Sequence, residues 1–209
     1  MNDARDQRMA RACRRITIIQ GHPDPKGGHY CHALAAAYEE GARAAGHEVH
    51  IIDVAAHVVP FVSCRGDLET ETAPPVIFLA QRTMVDSDHI LLIHPVWNGG
   101  APARLRAFME SAFRPAFIFP DLKIGEHLGF SSAFTQRKAL KGKTARVVAT
   151  MQMPGFVYRW YFRPHQEASA LRLGGAAVRE SLIGRVETKD GENRQRWLRR
   201  MTAFGAEAC

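Results

Sequence analysis

The chain has 209 residues and a formal net charge of +7, and 46% of its residues are hydrophobic and 23% charged. This composition is ordinary for a soluble globular protein, and the length predicts a single domain over residues 1–209. The longest apolar stretches, such as residues 90–93, are far too short to span a bilayer. We therefore expect no membrane span.

The positive charge is concentrated near the two ends of the chain, at residues 5–15 and 194–200. We predict a mobile arm over residues 1–14 and a basic C-terminal helix over residues 187–209, with its charges facing solvent. Because no recognition-helix motif accompanies these arginines, we expect no nucleic-acid partner. Residues 1–15 lack the apolar core of a signal peptide, so we expect a cytoplasmic location.

The four cysteines are scattered along the chain, with no close pair spaced like a zinc site or a redox dithiol. A chain of this size needs no disulfide framework to fold. We therefore expect free thiols at Cys13, Cys31, Cys64 and Cys209.

In chain order, the first elements are a buried strand over residues 16–20 and a helix that begins at Tyr30. In that helix apolar residues recur at helical spacing as far as Ala45. Gly46 then lies where a helix C-cap belongs. Residues 49–54 read as the second strand.

The later elements follow the same alternation of strand and helix. They are a helix at residues 75–85, a strand at 90–94, a helix after Pro102, an aromatic-rich insert at 114–143, a strand at 145–150, a helix near 166–173, a short strand near 181–186 and the basic C-terminal helix. This pattern predicts an α/β fold, a doubly wound parallel sheet of about five strands with helices on both faces. A long insert rich in aromatic residues is typical of a segment that covers a site.

In such sheets ligands bind outside the carboxyl ends of the strands, so the loops after Gln20, His94 and Thr150 are the candidate sites. The first loop, residues 21–32, leads into a helix N-terminus, where unpaired N–H groups bind phosphates. Its glycines let the backbone approach an anion, while its histidines and lysine add donors. The loop contains neither a Walker motif nor a dinucleotide-binding fingerprint.

Two other interpretations of the first loop remain open. It is either a surface turn or a metal site formed by His22, Asp24, His29 and His32. A family of zinc-dependent deacetylases has the motif His-Pro-Asp-Asp-Glu at this position. Here Pro25 and Lys26 follow Asp24, so a carboxylate ligand is replaced by a cation, and we predict no metal.

The loop after the third predicted strand, residues 94–103, suits a flat aromatic cofactor. Trp97 offers a broad face, and the glycines at 99 and 100 let backbone N–H groups approach a ring edge. Such donors can stabilise negative charge on a reduced heterocycle. The alternative is a glycine-rich turn around a core tryptophan.

Three blocks of sequence carry a family resemblance. They are the first loop with residues 33–38 and 46–49, the segment 94–119, and residues 141–154. Together they resemble the NAD(P)H:quinone oxidoreductases of the flavodoxin-like superfamily, in the family's order over roughly residues 15–187. The resemblance implies a tightly bound flavin, FMN or FAD, that carries hydride from NAD(P)H to a quinone-like acceptor by a ping-pong mechanism.

The resemblance also assigns residues and partners. It places the flavin phosphate and ring at His22, Gly28, His29, Tyr30, Cys31, Pro95, Val96, Trp97, Asn98, Gly99, Thr150, Met151, Gln152 and Met153. Catalytic roles, in steadying charge or protonating the quinol, fall to Tyr158 and His165. A homodimer is implied, with the aromatic segments 113–134 and 156–162 buried between subunits. The alternative function is that of an ancillary flavoprotein that regulates a potassium-efflux antiporter.

Overall fold

The computed structural model describes residues 13–69, 73–121, 138–162, 166–188 and 190–209. Five strands form one parallel sheet: β1 (Arg15–Gln20), β2 (Glu48–Asp53), β3 (His89–Pro95), β4 (Thr144–Thr150) and β5 (Ala177–Ile183). Their order across the sheet is β2-β1-β3-β4-β5, so the direction of winding reverses between β1 and β3. The predicted doubly wound α/β fold is therefore confirmed.

Eight helices and one 3-10 turn (Val54–Ala56) connect the strands in the described part of the chain. The helices are α1 (Tyr30–Ala44), α2 (Arg65–Glu69), α3 (Pro75–Asp86), α4 (Ala103–Ala112), α5 (Pro115–Ile118), α6 (Gly155–Tyr161), α7 (Gln166–Leu173) and α8 (Gly191–Glu207). None of these helices has both the length and the apolar character that a membrane span requires.

Alternating side chains of the sheet supply a core on each of its two faces. Ile18 is buried with Leu34 of α1 and Met201 of α8, whereas its neighbour Ile19 is buried with Ile77 of α3. Successive side chains of a strand point to opposite faces. The predicted placement of helices on both faces therefore follows from the apolar run at residues 16–20.

Two glycines bring α1 and α8 into backbone contact on one face of the sheet. A Cβ built on Gly205 would overlap the carbonyl oxygen of Tyr38, and one built on Gly41 would overlap the carbonyl oxygen of Thr202. Neither glycine has a positive φ angle, so it is space and not backbone conformation that requires glycine here. The basic C-terminal helix is thus anchored to α1 through its small residues.

The last strand was predicted wrongly, near residues 181–186, and lies at Ala177–Ile183 instead. The turn at Gly175, with φ +100°, starts the strand early. β5 lies at the edge of the sheet, so its first four residues are at most half-buried. Arg179 is exposed and Glu180 is partly buried, and these two polar residues interrupt the apolar pattern that would have indicated a strand.

Part of the aromatic-rich insert, with the residue just before it, belongs to the hydrophobic core. Phe113 and Phe119 are 8% and 5% exposed and pack with the residues beneath α3 and α4. They need no second subunit to cover them. Phe117 is partly buried against the same core, whereas Phe130 and Phe134 lie outside the described residues, as do residues 1–12 of the predicted arm.

Candidate functional site

A cleft of about 710 Å³ opens at the carboxyl ends of the strands, beside the point where the winding reverses. Its walls are His22, Asp24, His29, Tyr30, Cys31, Pro95, Val96, Trp97, Asn98, Thr150, Met151, Gln152, Val186 and Glu187. Residues from all three loops singled out in the sequence therefore meet at one cleft.

Several predicted site residues lie off the walls of this cleft. Gly28 and Gly99 lie in its two turns with φ +77° and +81°, where they shape the backbone. Met153 packs against a small cluster of buried residues that includes Met151 and Tyr158, and Tyr158 is 2% exposed. Burial, followed by the charges of two glutamates, raises the pKa of Tyr158 to about 12, so its hydroxyl keeps its proton near neutral pH. His165 lies outside the described residues.

Three wall residues were not assigned to a flavin site from the sequence: Asp24, Val186 and Glu187. Val186 and Glu187 follow the true end of β5, and β5 had been placed several residues too late. The rule that ligands bind beyond the carboxyl ends of strands would have found them once the strand was placed correctly.

The first turn is held in shape by its own side chains. Gln20 accepts a hydrogen bond from the backbone N–H of His22 (3.1 Å) and donates one to the carbonyl of Cys31 (3.3 Å). The carboxylate of Asp24 accepts from the N–H of Lys26 at 2.9 Å. Because these bonds form within the protein itself, the turn is organised before any ligand arrives.

The N-terminus of α1 lies at the wall of the cleft. His29 is the N-cap residue, and its side chain makes no capping hydrogen bond. The first N–H groups of a helix have no partner within the helix and carry a partial positive charge. With Tyr30 and Cys31 on the wall, this helix end offers an anion site.

Three histidines form a compact cluster beside this helix end. The rings of His22 and His29 stack with centroids 3.9 Å apart, and His32 lies 5.1 Å and 5.7 Å from them. Nε2 of His29 lies 2.8 Å from a carboxylate oxygen of Asp24. Burial, followed by the two other histidines, lowers the pKa of His22 to about 4, so this ring is neutral at pH 7.

The same cluster bears on the metal interpretation of the first loop. Over the described ranges of the chain, no group of three or more His, Cys, Asp or Glu side chains is arranged to hold a metal ion. The rings of His22 and His29 stack face to face, whereas ligands of one ion must converge on a point.

The second loop is a tight turn at the mouth of the cleft. Trp97 and Gly100 exchange two backbone hydrogen bonds of 2.8 Å and 3.0 Å across Asn98 and Gly99. Both central residues have positive φ angles, 49° and 81°, as a type I′ turn requires. Trp97 is 52% exposed, so the interpretation as a core tryptophan is wrong.

Cys31 lies at the bottom of the cleft and is only 2% exposed. Its Sγ atom lies 3.1 Å from the hydroxyl oxygen of Thr150, which joins α1 to the end of β4. Burial raises the pKa of the Cys31 thiol to about 12. The thiol therefore supports the floor of the cleft and is not a nucleophile.

We expect Cys31 to resist alkylation in the folded protein. At pH 8 a pKa of about 12 leaves roughly one thiolate in ten thousand, and the thiolate is the reactive form. The exposed Cys13 and Cys64 serve as internal controls and are expected to react with iodoacetamide. Peptide mass spectrometry before and after denaturation measures this, and equal labelling of Cys31 and Cys64 in the folded protein would contradict it.

With the fold and the cleft defined, comparison with known proteins gives the family. The model of the flavodoxin-like fold matches residues 14–175. The chain belongs to this family. No match was found among the curated proteins.

Solved structures with this fold resemble the chain over nearly its whole length. The protein Smu.1420 from Streptococcus mutans UA159 is 20% identical, with a TM-score of 0.71 over 92% of this chain and 99% of that one. An NAD(P)H:quinone oxidoreductase from Methanothermobacter marburgensis is 16% identical, with a TM-score of 0.71 over 94% and 96%. An FMN-dependent NADH-azoreductase from Bacillus anthracis, solved in complex with FMN, is 13% identical, with a TM-score of 0.64 over 92% and 97%. At these identities the likeness establishes the fold.

Proposed function

We propose that the protein is a flavin-dependent oxidoreductase that passes hydride from NAD(P)H to a quinone-like acceptor. One observation carries the proposal: a single cleft joins an anion-binding helix end to a half-exposed tryptophan. Those are the two chemical features that a flavin phosphate and a flat ring require. The names of the solved structures with this fold, a quinone oxidoreductase and an FMN-dependent azoreductase, also support it.

The residues of the cleft fit FMN or FAD. At the phosphate end, the uncapped start of α1 offers N–H donors beside the histidine cluster, and Gly27 and Gly28 have open space where a side chain would lie. At the ring end, the Trp97–Gly100 turn brings backbone and an aromatic face to the cleft. The volume of about 710 Å³ lies within the range of sites for cofactors.

When bound, the flavin supplies the hydride chemistry itself. The chain's own residues bind and orient it. The Asn98–Gly99 turn has both φ angles in the range of a type I′ turn, and it presents Trp97 to the cleft. Gln152 accepts a hydrogen bond of 3.2 Å from the N–H of Glu187, which ties the loop after β4 to the loop after β5. The two substrates are proposed to use this cleft in turn, which is the ping-pong mechanism.

The catalytic roles of Tyr158 and His165 stay predictions. Tyr158 is buried in one cluster with Met151 and is not among the residues of the cleft wall. Its position suits a supporting role, in which its ring, stacked 5.3 Å from that of Phe162, holds the loop after β4 in place.

Spectroscopy and turnover test the proposal directly. The purified protein, soaked in FMN or FAD and then dialysed, is expected to keep the yellow absorption of an oxidised flavin and to melt at a higher temperature. It should then consume NADH or NADPH steadily when a soluble quinone is added, with parallel double-reciprocal plots as ping-pong turnover requires. Mass spectrometry of the released cofactor distinguishes FMN from FAD.

Two results would redirect or end the proposal. A protein that gains neither colour nor thermal stability from either flavin is no flavoprotein. A protein that holds flavin but turns over no quinone fits the alternative, an ancillary subunit of a potassium-efflux antiporter, which co-purification with such a transporter would then test.

We also propose a homodimer in the cytoplasm. Phe156, Trp160 and Tyr161 on α6 are 75%, 78% and 69% exposed, and a patch of this kind marks an interface. Sedimentation that shows only monomer at micromolar concentration would contradict the dimer.

The proposed cytoplasmic location is supported by the cysteines. All four cysteines are free, which suits a reducing compartment.

A further inference from the structure

The histidine cluster beside α1 is unusual because its members disfavour one another's charge. The pKa of His22 and the pKa of His32 are both lowered, first by burial and then by neighbouring histidines. Nδ1 of His32 is buried and has no hydrogen-bond partner. A cluster of neutral histidine rings, one of which leaves a buried nitrogen without a hydrogen bond, contributes little to the stability of the fold. A role of this cluster in ligand binding would explain its arrangement.

The charges around the cluster come from several elements. Asp24 of the first turn and Asp53 at the end of β2 act on the histidines electrostatically, and Lys26 acts on Asp24. The other titratable groups of the cleft wall are Tyr30 and Cys31 of α1 and Glu187 after β5. Asp24 already pairs with His29. An added anion at the start of α1 would therefore meet an uncapped helix end and three histidines that become easier to protonate.

We propose that His22, His29 and His32 together take up a proton when the flavin phosphate binds, so that flavin affinity is coupled to pH. This inference depends on the proposed function, because it assumes that the anion at the start of α1 is a flavin phosphate. The phosphate reverses the local balance of charge: an imidazolium repelled by its neighbours in the free protein is attracted by the bound anion.

The direction of the pH effect follows from linkage. A site that binds a proton along with its ligand loses affinity as pH rises, by up to about ten-fold per pH unit for each proton, in the range between the pKa of the free site and that of the complex. The second pKa of a phosphate monoester is near 6, so between pH 7 and 9 the ligand stays a dianion. Over that range a change in affinity reports on the protein.

The test compares FMN with riboflavin, which has the same ring and no phosphate. Dissociation constants are measured by fluorescence titration of the full chain between pH 7 and 9. We expect the FMN constant to rise with pH, by up to about ten-fold per unit where a whole proton is taken up, and to level off once pH exceeds the pKa of the cluster in the complex, while the riboflavin constant stays flat. Calorimetry at pH 7.5 in two buffers of different ionisation enthalpy should count that proton directly.

Three variants assign the effect. His29→Gln and His32→Gln are each expected to reduce the pH slope for FMN by at least half and to leave the riboflavin constant independent of pH. His50→Gln is the matched control, because His50 also pairs with a carboxylate, at 2.9 Å from Glu48, but lies outside the cleft. This control should keep the wild-type slope.

The outcomes separate the two proposals. FMN that binds with the same constant from pH 7 to 9, without proton uptake, would overturn the coupling and leave the flavin site standing. A chain that binds neither FMN nor riboflavin at any pH would overturn both. A slope that persists in both His29→Gln and His32→Gln would show that neither of these histidines holds the proton, and would overturn the proposal that the three act together.

Discussion

Replacing Gly205 with alanine is expected to lower the free energy of unfolding by about 3 kcal/mol, at the upper end of the usual range for overpacked sites. The added methyl group would overlap the carbonyl oxygen of Tyr38 and lie 2.9 Å from the backbone nitrogen of Ala42. Backbone atoms of a helix cannot rotate away as a side chain can. The two helices would have to separate, which would open the core beneath Leu34 and Met201.

The same substitution elsewhere in α8 provides the control. Gly191 begins this helix, and a Cβ built there meets no atom within 4 Å. Gly191→Ala should leave the melting temperature unchanged or raise it slightly, since alanine favours helix over glycine. Urea denaturation of both variants measures the difference. Equal stability of Gly205→Ala and wild type would show that α1 and α8 do not pack through this glycine.

The fold was predictable because its signals are local. The apolar run at residues 16–20 and the helical spacing that ends at Gly46 each specify an element without reference to distant residues. The short helix α6 was not predicted, since seven residues that include Phe156, Trp160 and Tyr161 carry no amphipathic pattern. The edge strand β5 was misplaced because its exposed half is charged.

The sequence was also sufficient to predict which loops form the candidate site. Turn residues such as Trp97 and His29 follow strands that end at one edge of the sheet, so topology alone brings them together. The burial of Tyr158 depends on how α6 packs against β4 and β5, and this packing cannot be predicted from the local sequence. Nor could the stacking of His22 on His29 be predicted, because it depends on the shape of the turn between them.

Replacing Gly99 with alanine is expected to weaken flavin binding by about ten-fold, which corresponds to roughly 1.4 kcal/mol. Gly99 has a φ angle of 81°, where a side chain adds strain of about 1–3 kcal/mol. Its methyl group would also lie 2.8 Å from Cδ1 of Phe162 and displace that ring. The turn is at the surface, so it can relax to another shape, and binding must then restore the original one.

Gly100→Ala is the matched control for this substitution. Gly100 is the next residue of the same turn, has no positive φ angle, and a Cβ built on it meets nothing within 4 Å. Fluorescence titration with FMN should place Gly100→Ala within two-fold of wild type by this reasoning, and Gly99→Ala about ten-fold weaker. If both variants bind FMN as tightly as wild type, the Trp97–Gly100 turn is not part of the flavin site. If Gly100→Ala is the weaker binder, a methyl group at residue 100 meets the ligand itself, and the ring lies closer to that residue than to the face of Trp97.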